Sequence, residues 1–313
     1  MKIVIFGAGA LGAYYGGRLL ESGRDAVFFV REKRAEKLKR FGLAIHSPNG
    51  DAAFTEFPFA VRTEEIGKAD LVLLAVKGYH LRDTLPALKE LVKKGGKVLP
   101  ILNGVEHYEV LQKELGKENV LGGLSYIMAS LDERGHVIHA NAQDTLLFGP
   151  LAPSQEDFCA QVEDLFRPTS FTAIKTDAIE TAIWEKYMFI TAFSGVTSAA
   201  DLPIGIIRSH PETLEIARQI VKEMKRLANL YQVPLTEEQV EKTEQIFQAL
   251  PEEGTSSMHR DKKKGLPLEL DHLHGAALRM AERKKAKLPY IQFIYQLLKP
   301  YEKGLKPSET AAP

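Results

Sequence analysis

Six residues near the start of the chain, Gly7-Ala8-Gly9-Ala10-Leu11-Gly12, have the spacing G-x-G-x-x-G. They follow an apolar run, Ile3 to Phe6, and open a helical stretch, Ala13 to Glu21. A glycine loop between a strand and a helix is what a dinucleotide pyrophosphate requires. Gly7 permits the tight turn, Gly9 lets the pyrophosphate approach the backbone, and Gly12 lets the helix pack closely on the strand. The helix start then presents unbonded N–H groups and a positive dipole end. A second apolar run, Ala26 to Val30, ends at Arg31, followed by Glu32, Lys33 and Arg34. Enzymes that take NAD usually carry Asp or Glu here, ~20 residues beyond the motif, to hold the ribose 2′-hydroxyl. Arg31 instead grips a 2′-phosphate through paired N–H groups, and Lys33 or Arg34 adds charge. NADPH is the expected cofactor; Glu32 would serve NAD if the register slipped by one residue.

Two further apolar runs end in polar pairs: Leu71 to Val76 in Lys77-Gly78, and Val98 to Leu102 in Asn103-Gly104. Ligands of open parallel sheets lie beyond the carboxyl ends of the strands. Lys77 and Asn103 are therefore expected to bind the nicotinamide half of the cofactor. The plainer alternatives are a solvated lysine and a turn-forming asparagine.

The elements that must hold these residues alternate strand and helix. The pattern predicts helices over 32–40, 85–93 and 108–115 and a short strand over 120–122. Such alternation predicts an α/β N-terminal Rossmann domain with a mostly parallel, doubly wound sheet. Residues 135–139 and 145–149 read as two strands joined by a polar turn that extend this sheet. A helix over 154–166 and a strand over 171–175 complete the NADP-binding domain at residue 176. From 177 to 313 the β signal vanishes and an all-α C-terminal domain is expected, for substrate and catalysis. Its helices span 178–194, 211–231, 270–283 and 289–299, with another opened by the capping box Thr236 to Gln239. A frayed tail is expected from Gly304 to Pro313.

Composition narrows the class. Lys plus Arg and Asp plus Glu both number 41 in 313 residues, without the basic excess of a dedicated nucleic-acid binder. The single cysteine, Cys159, cannot form an internal disulfide and is expected simply to pack. No run reaches the ~18 apolar residues of a membrane span, so a cytoplasmic protein is expected. The nine histidines are scattered, and His272-x-His274 has a spacing that points side chains apart on a helix. No metal is expected.

The whole pattern resembles the ketopantoate reductases (2-dehydropantoate 2-reductases). The resemblance rests on the glycine motif, Arg31, Ala75-Val76-Lys77, Asn103-Gly104 and Trp184-Glu185-Lys186. It continues in the block from Ser256-Ser257-Met258 to Leu268-Glu269-Leu270-Asp271. The resemblance implies that Lys186 is the catalytic lysine and Glu269 the active-site glutamate. It also implies that Ser257 contacts the substrate carboxylate and that Asn103 lies near nicotinamide and substrate. The chemistry is coherent: ketone reduction places negative charge on oxygen, which an ammonium stabilises and then protonates. Read without the resemblance, Lys186 is a snorkelling lysine, Glu269 a first-turn carboxylate and Ser257 an N-cap.

Departures are equally specific. Where the family's helix carries asparagines one and two turns after the lysine, this chain has Ile190 and Ser194. Gly254 and His274 also replace family asparagines. Ser194 keeps a hydroxyl for the substrate; for Ile190, Thr191, Thr197 or Ser198 are the candidate substitutes. The expected reaction is NADPH-dependent reduction of 2-dehydropantoate to (R)-pantoate, in pantothenate and coenzyme A biosynthesis. The alternative is a paralogous NADPH-dependent reductase of a different branched 2-keto acid. Expected partners are the 2-keto acid and a second copy in a homodimer, with neither nucleic acid nor membrane.

Overall fold

Strand β1 (Ile3–Phe6) is buried along its whole length, as an apolar run inside a two-sided parallel sheet must be. After it come α1 (Ala10–Glu21), β2 (Ala26–Phe29), α2 (Glu32–Phe41), β3 (Leu43–His46), β4 (Ala52–Phe54) and β5 (Phe59–Ala60). Then follow β6 (Leu71–Leu74), α3 (Leu81–Lys93), β7 (Lys97–Pro100) and α4 (Glu106–Leu115). In this computed structural model, which describes residues 1–305, the first sheet has the order β5-β2-β1-β6-β7. Every pairing in it is parallel. The glycine loop and the loops carrying Arg31 and Lys77 thus emerge from neighbouring strands at one edge, the carboxyl edge.

The next segment corrects the sequence reading. β8 (Gly122–Leu131) and β9 (Val137–Gly149) do not extend the first sheet. They join a second one of order β10-β9-β3-β4, with β8 antiparallel to β9 and β10 (Ala173–Lys175) following α5 (Glu156–Phe166). The polar residues that read as a turn lie inside a continuous 13-residue strand. Tertiary partners make that tolerable: buried Asp144 accepts from the Tyr14 hydroxyl at 2.7 Å and the Asn49 amide at 2.9 Å. Helix α1 is held between both sheets. A Cβ on Gly16 would stand 2.5 Å from Phe28 of β2, and one on Gly17 would stand 2.6 Å from Ile45 of β3. The Tyr15 hydroxyl adds a 2.7 Å bond to Ser125 of β8.

The remaining elements are helical: α6 (Ile179–Ala200), α7 (Ile204–Ser209), α8 (Pro211–Leu230), α9 (Glu237–Ala249) and α10 (Ser257–Lys263). A π-helical turn, Asp271–Gly275, runs into α11 (Ala276–Arg283), and α12 (Pro289–Leu298) follows. Helix α6 buries Ile183, Trp184, Tyr187, Met188, Ala192, Phe193 and Val196, the behaviour of a helix apolar on most of its surface. Thr236 and Gln239 close the capping box of α9 reciprocally. Cys159 is buried, and burial pushes its thiol up to about 11.

By internal contacts the chain forms two compact units. One comprises Met1–Leu102 and His107–Ile179; the other comprises Asn103–Glu106 and the chain from Glu180. No helix among the described residues is long and apolar enough to cross a membrane. Past residue 305, the expected fraying of the tail lies outside the described residues.

Candidate active site

In the first unit the site is made of backbone. Gly7 has φ +97°, and a Cβ there would stand 2.8 Å from the Ala75 carbonyl oxygen. A Cβ on Gly12 would stand 1.9 Å from the Gly7 carbonyl oxygen, so only glycine lets α1 start this close to the loop. Gly9 is different: no protein atom lies within 4 Å of where its Cβ would be. It is the N-cap of α1, makes no side-chain cap, and no acidic residue follows in the first turn. The first N–H groups of a helix have no partner within it, so the N–H groups from Ala10 to Gly12 stand at the positive dipole end of α1, next to the open space at Gly9. These residues fit a dinucleotide pyrophosphate.

Arg31 is the exposed N-cap of α2, with Glu32 as its first helical residue. Arg34, expected to add charge beside it, is used elsewhere. Its Nε donates to the Ala8 carbonyl at 2.8 Å and its Nη2 to the Gly135 carbonyl at 2.8 Å. It braces the glycine loop against the β8–β9 turn, where Gly135 at φ +88° leaves room for the guanidinium. The group beside Arg31 is one that the sequence reading missed, His80, whose Nε2 lies 3.2 Å from Arg31 Nη2. Lys77 is the N-cap of the one-turn helix Gly78–His80 that presents this imidazole. A histidine just beyond Lys77-Gly78 was the available signal.

In the second unit the site is made of side chains. Lys186 lies on α6, half-buried. Burial pushes its ammonium down to about 8, against the opposing pull of the Glu269 carboxylate. Glu269 is only 6% exposed. Two bonds fix the elements that carry this pair. The Tyr187 hydroxyl donates to the Leu273 carbonyl, tying α6 to the π-helical turn. The Gln239 amide of α9 donates to Glu185, next to the lysine.

The segment Asn103–Glu106 is fastened to the same turn. His272 Nε2 donates to the Asn103 carbonyl at 2.8 Å. Arg279 reaches Glu106 at 2.7 Å and Asp271 at 2.9 Å. Burial acts to raise Asp271, yet the hydrogen bonds and charge of Arg279 hold its carboxyl below the usual range. Gly275 is needed there because a Cβ would stand 2.5 Å from Asp271 Oδ1. The Asn103 bond uses the backbone carbonyl and leaves the side-chain amide out of the contact.

The substrate candidates on α6 separate clearly. Among the described residues, the hydroxyl of Ser194, which is 1% exposed, finds no partner, and neither do the buried hydroxyls of Thr191 and Ser198. Thr197 is occupied: its hydroxyl donates to the Phe193 carbonyl at 2.6 Å and accepts from the Ser256 hydroxyl at 3.0 Å. Ser256, not Ser257, is the N-cap of α10, accepting from His259 N at 3.0 Å. The expected alternative of Ser257 as a cap is thereby corrected: it is the first helical residue, half-buried, with its hydroxyl released from capping. Gly254 sits in a turn where a Cβ would stand 2.9 Å from the Pro251 carbonyl oxygen, so an asparagine does not fit unchanged. His274 is fully buried against α6, and burial pushes it down to about 4, with a contact to the Thr191 backbone opposing. Its Nε2 occupies space that a Cβ on Gly195 would need, at 2.8 Å. Among the described residues, no three His, Cys, Asp or Glu side chains converge as metal ligands.

A parallel sheet bearing this loop at its carboxyl edge is the nucleotide unit of a pyridine-nucleotide-dependent oxidoreductase. Comparison with known proteins narrows the class. The family model "Ketopantoate reductase PanE/ApbA" matches residues 3–153, and "Ketopantoate reductase PanE/ApbA C terminal" matches residues 178–302. The chain belongs to the ketopantoate reductase family. It is 34% identical, over 96% of its length and 99% of the relative's, to the uncharacterized oxidoreductase YkpB of Bacillus subtilis. The 2-dehydropantoate 2-reductase of Geobacter metallireducens superposes with a TM-score of 0.88 at 28% identity, covering 96% and 99% of the two chains. A D-mandelate dehydrogenase solved with NADH and anilino(oxo)acetate shares the fold, with a TM-score of 0.87 at 24% identity over 96% and 98%.

Proposed function

We propose that this protein reduces a branched 2-keto acid with NADPH, with 2-dehydropantoate to (R)-pantoate as the first substrate to test. The observation that carries the reading is half-buried Lys186, lowered by burial and opposed by the charge of buried Glu269, the two residues to which the family resemblance gives the acid and its partner. NADPH, when bound, supplies the hydride that adds to the carbonyl carbon. Lys186 then does what the polarity of the reaction demands. Its Nζ donates a hydrogen bond to the carbonyl oxygen, stabilises the growing negative charge and gives up a proton to form the hydroxyl. With its acidity near neutrality, the ammonium is still charged at pH 7 and yields its proton more readily than an exposed lysine does. The Glu269 carboxylate keeps Lys186 protonated between turnovers and accepts a hydrogen bond from a substrate hydroxyl. Ser257 and Ser194 supply hydroxyl donors for the substrate carboxylate and its polar tail, and the Asn103 amide orients the reacting carbonyl. The glycine loop from Gly7 to Gly12, with Ala8, Ala10 and Leu11 between, holds the pyrophosphate. Arg31 holds the 2′-phosphate, and Lys77 the nicotinamide side.

The second reading is a reductase for another 2-keto acid. Ile190 and Gly254 favour it, because neither offers the side-chain polar group that the family places there. The D-mandelate dehydrogenase shows the fold serving a different acid. A spectrophotometric screen of NADPH and NADH oxidation against 2-keto acids decides. A kcat/KM for 2-dehydropantoate above that for the other acids supports the first reading. A far higher value for another acid selects the second, and no activity with any 2-keto acid overturns both.

A further inference from the structure

The pair formed by Arg31 and His80 carries more than charge. A guanidinium can only donate, so the 3.2 Å contact from Arg31 Nη2 makes His80 Nε2 an acceptor and places the imidazole proton on Nδ1. Nδ1 faces Asp83 Oδ2 at 4.0 Å, and Asp83 is 82% exposed, a weak counter-charge. The charged groups bearing on His80 are therefore Arg31, from the β2–α2 junction, and Asp83, from α3. The exposed Tyr79 ring packs edge-on against the imidazole at 4.6 Å between centroids. Desolvation and the charge of Arg31 hold His80 below its ordinary value, with Asp83 opposing.

We propose that Arg31 and His80 form one recognition site for the 2′-phosphate of the dinucleotide, and that His80 takes up a proton when the phosphate binds. The inference rests on the NADPH reading above. A phosphate set against Arg31 brings up to two negative charges beside the imidazole and reverses the field that keeps it neutral. Arg31 Nη2–H then turns from His80 Nε2 to a phosphate oxygen, and Nε2, now protonated, becomes a second charged donor. The proton comes from solvent, and no bond other than N–H is made. Dinucleotide without the 2′-phosphate leaves the Arg31–His80 bond as it stands. Preference for NADPH over NADH therefore strengthens as pH falls through the titration of His80, by up to about tenfold per pH unit for one linked proton.

The test is fluorescence titration of NADPH and NADH into the full-length protein and His80→Gln from pH 6 to 9. Calorimetry in two buffers of different ionisation enthalpy counts the protons. Glutamine keeps a donor and an acceptor but cannot titrate. The second ionisation of the phosphate, near pKa ~6, is common to both proteins and cancels in the comparison. The expected result is an NADPH/NADH affinity ratio that falls with rising pH more steeply in the wild type than in H80Q. Proton uptake should accompany NADPH binding but not NADH binding. An NADPH-preferring wild type whose pH dependence and proton uptake match those of H80Q overturns this inference and leaves the cofactor reading standing. A wild type with no preference for NADPH at any pH overturns both.

Discussion

The two units build their candidate sites from different materials. In the first, the glycine loop offers a ligand backbone N–H groups, and side chains there matter mainly by being absent, at Gly7 and Gly12, while Arg31, Lys77 and His80 add side chains at neighbouring strand ends. In the second, everything offered is a side chain: Lys186 and Ser194 on α6, Ser257 on α10, and Glu269 just ahead of the π-helical turn Asp271–Gly275. The loop does not tolerate a side chain at Gly7 or Gly12, where a Cβ would meet backbone oxygen. A side-chain site changes its ligand with one substitution, and the departures fall there: Ile190, Gly254 and His274. Under the proposed function, cofactor binding and proton transfer belong to the family frame, whereas substrate choice is written in a few replaceable residues.

The most severe way to test the side-chain site is to remove the acid. Lys186→Ala should lower kcat by roughly 10²–10⁴, the range for loss of a general acid. NADPH affinity, measured by fluorescence titration, should stay within about twofold, because the loop and Arg31 are untouched. A variant with near wild-type kcat on the best substrate breaks the assignment and moves attention to Lys77 or to a water held by Asn103. For the backbone site the counterpart is Arg31→Ala. It should raise KM for NADPH by about 10–100-fold, the scale of charge-assisted bonds to a phosphate, and raise KM for NADH far less. Equal use of both cofactors by the wild type removes the basis for that expectation.

How much of this was legible beforehand follows the same division. The glycine loop could be read because a local spacing dictates its geometry, and φ +97° at Gly7 realises the tight turn. Lys186 and Glu269 lie 83 positions apart in the sequence, and no local rule joins them; only the family resemblance did. The second sheet was misread because Asn141 to Asp144 look like a turn until Tyr14 and Asn49 are brought to Asp144. Arg34 was misassigned for a similar reason: its acceptors, Ala8 and Gly135, lie 26 and 101 residues away. His80 escaped notice because its partner Arg31 is 49 residues distant. Ser256 displaced Ser257 as the cap because α10 begins one residue earlier than the turn chemistry implied.

A milder probe is pH. In the proposed mechanism Lys186 is the acid in reduction, and burial pushes its ammonium down to about 8. Reductive kcat/KM should therefore be level below pH 7 and fall above pH 8, by up to about tenfold per unit. Oxidation of the hydroxy acid needs the neutral amine and should rise over the same range. Glu269 favours the charged lysine, so Glu269→Gln should shift the break to lower pH as well as raise substrate KM. A break unmoved in E269Q would separate the two residues electrostatically and confine Glu269 to substrate binding.

The smallest expected effect bears most directly on what the second unit recognises. Ile190 lies one helical turn beyond Lys186 and one before Ser194, so the three share a strip of α6. It is half-buried, unlike the wholly buried Thr191 beside it. A substrate hydroxyl or carboxylate oxygen placed against Ile190 loses water and gains no bond, at a cost of about 1.5–3 kcal/mol where a charged group is involved. Ile190→Asn restores an amide at that point, but the new side chain must also be ordered, at about 0.5–1.5 kcal/mol. The net expectation is a gain in kcat/KM for 2-dehydropantoate of about three- to tenfold, mostly through KM. More apolar 2-keto acids should lose activity in the same variant, because the amide then faces hydrocarbon. Steady-state kinetics of I190N on both kinds of acid reads the difference. If both acids respond alike, Ile190 packs against protein and the substrate is recognised elsewhere. If the apolar acid is the better wild-type substrate and only it suffers, the chain is the paralogous reductase, with Ile190 as the residue that made it so.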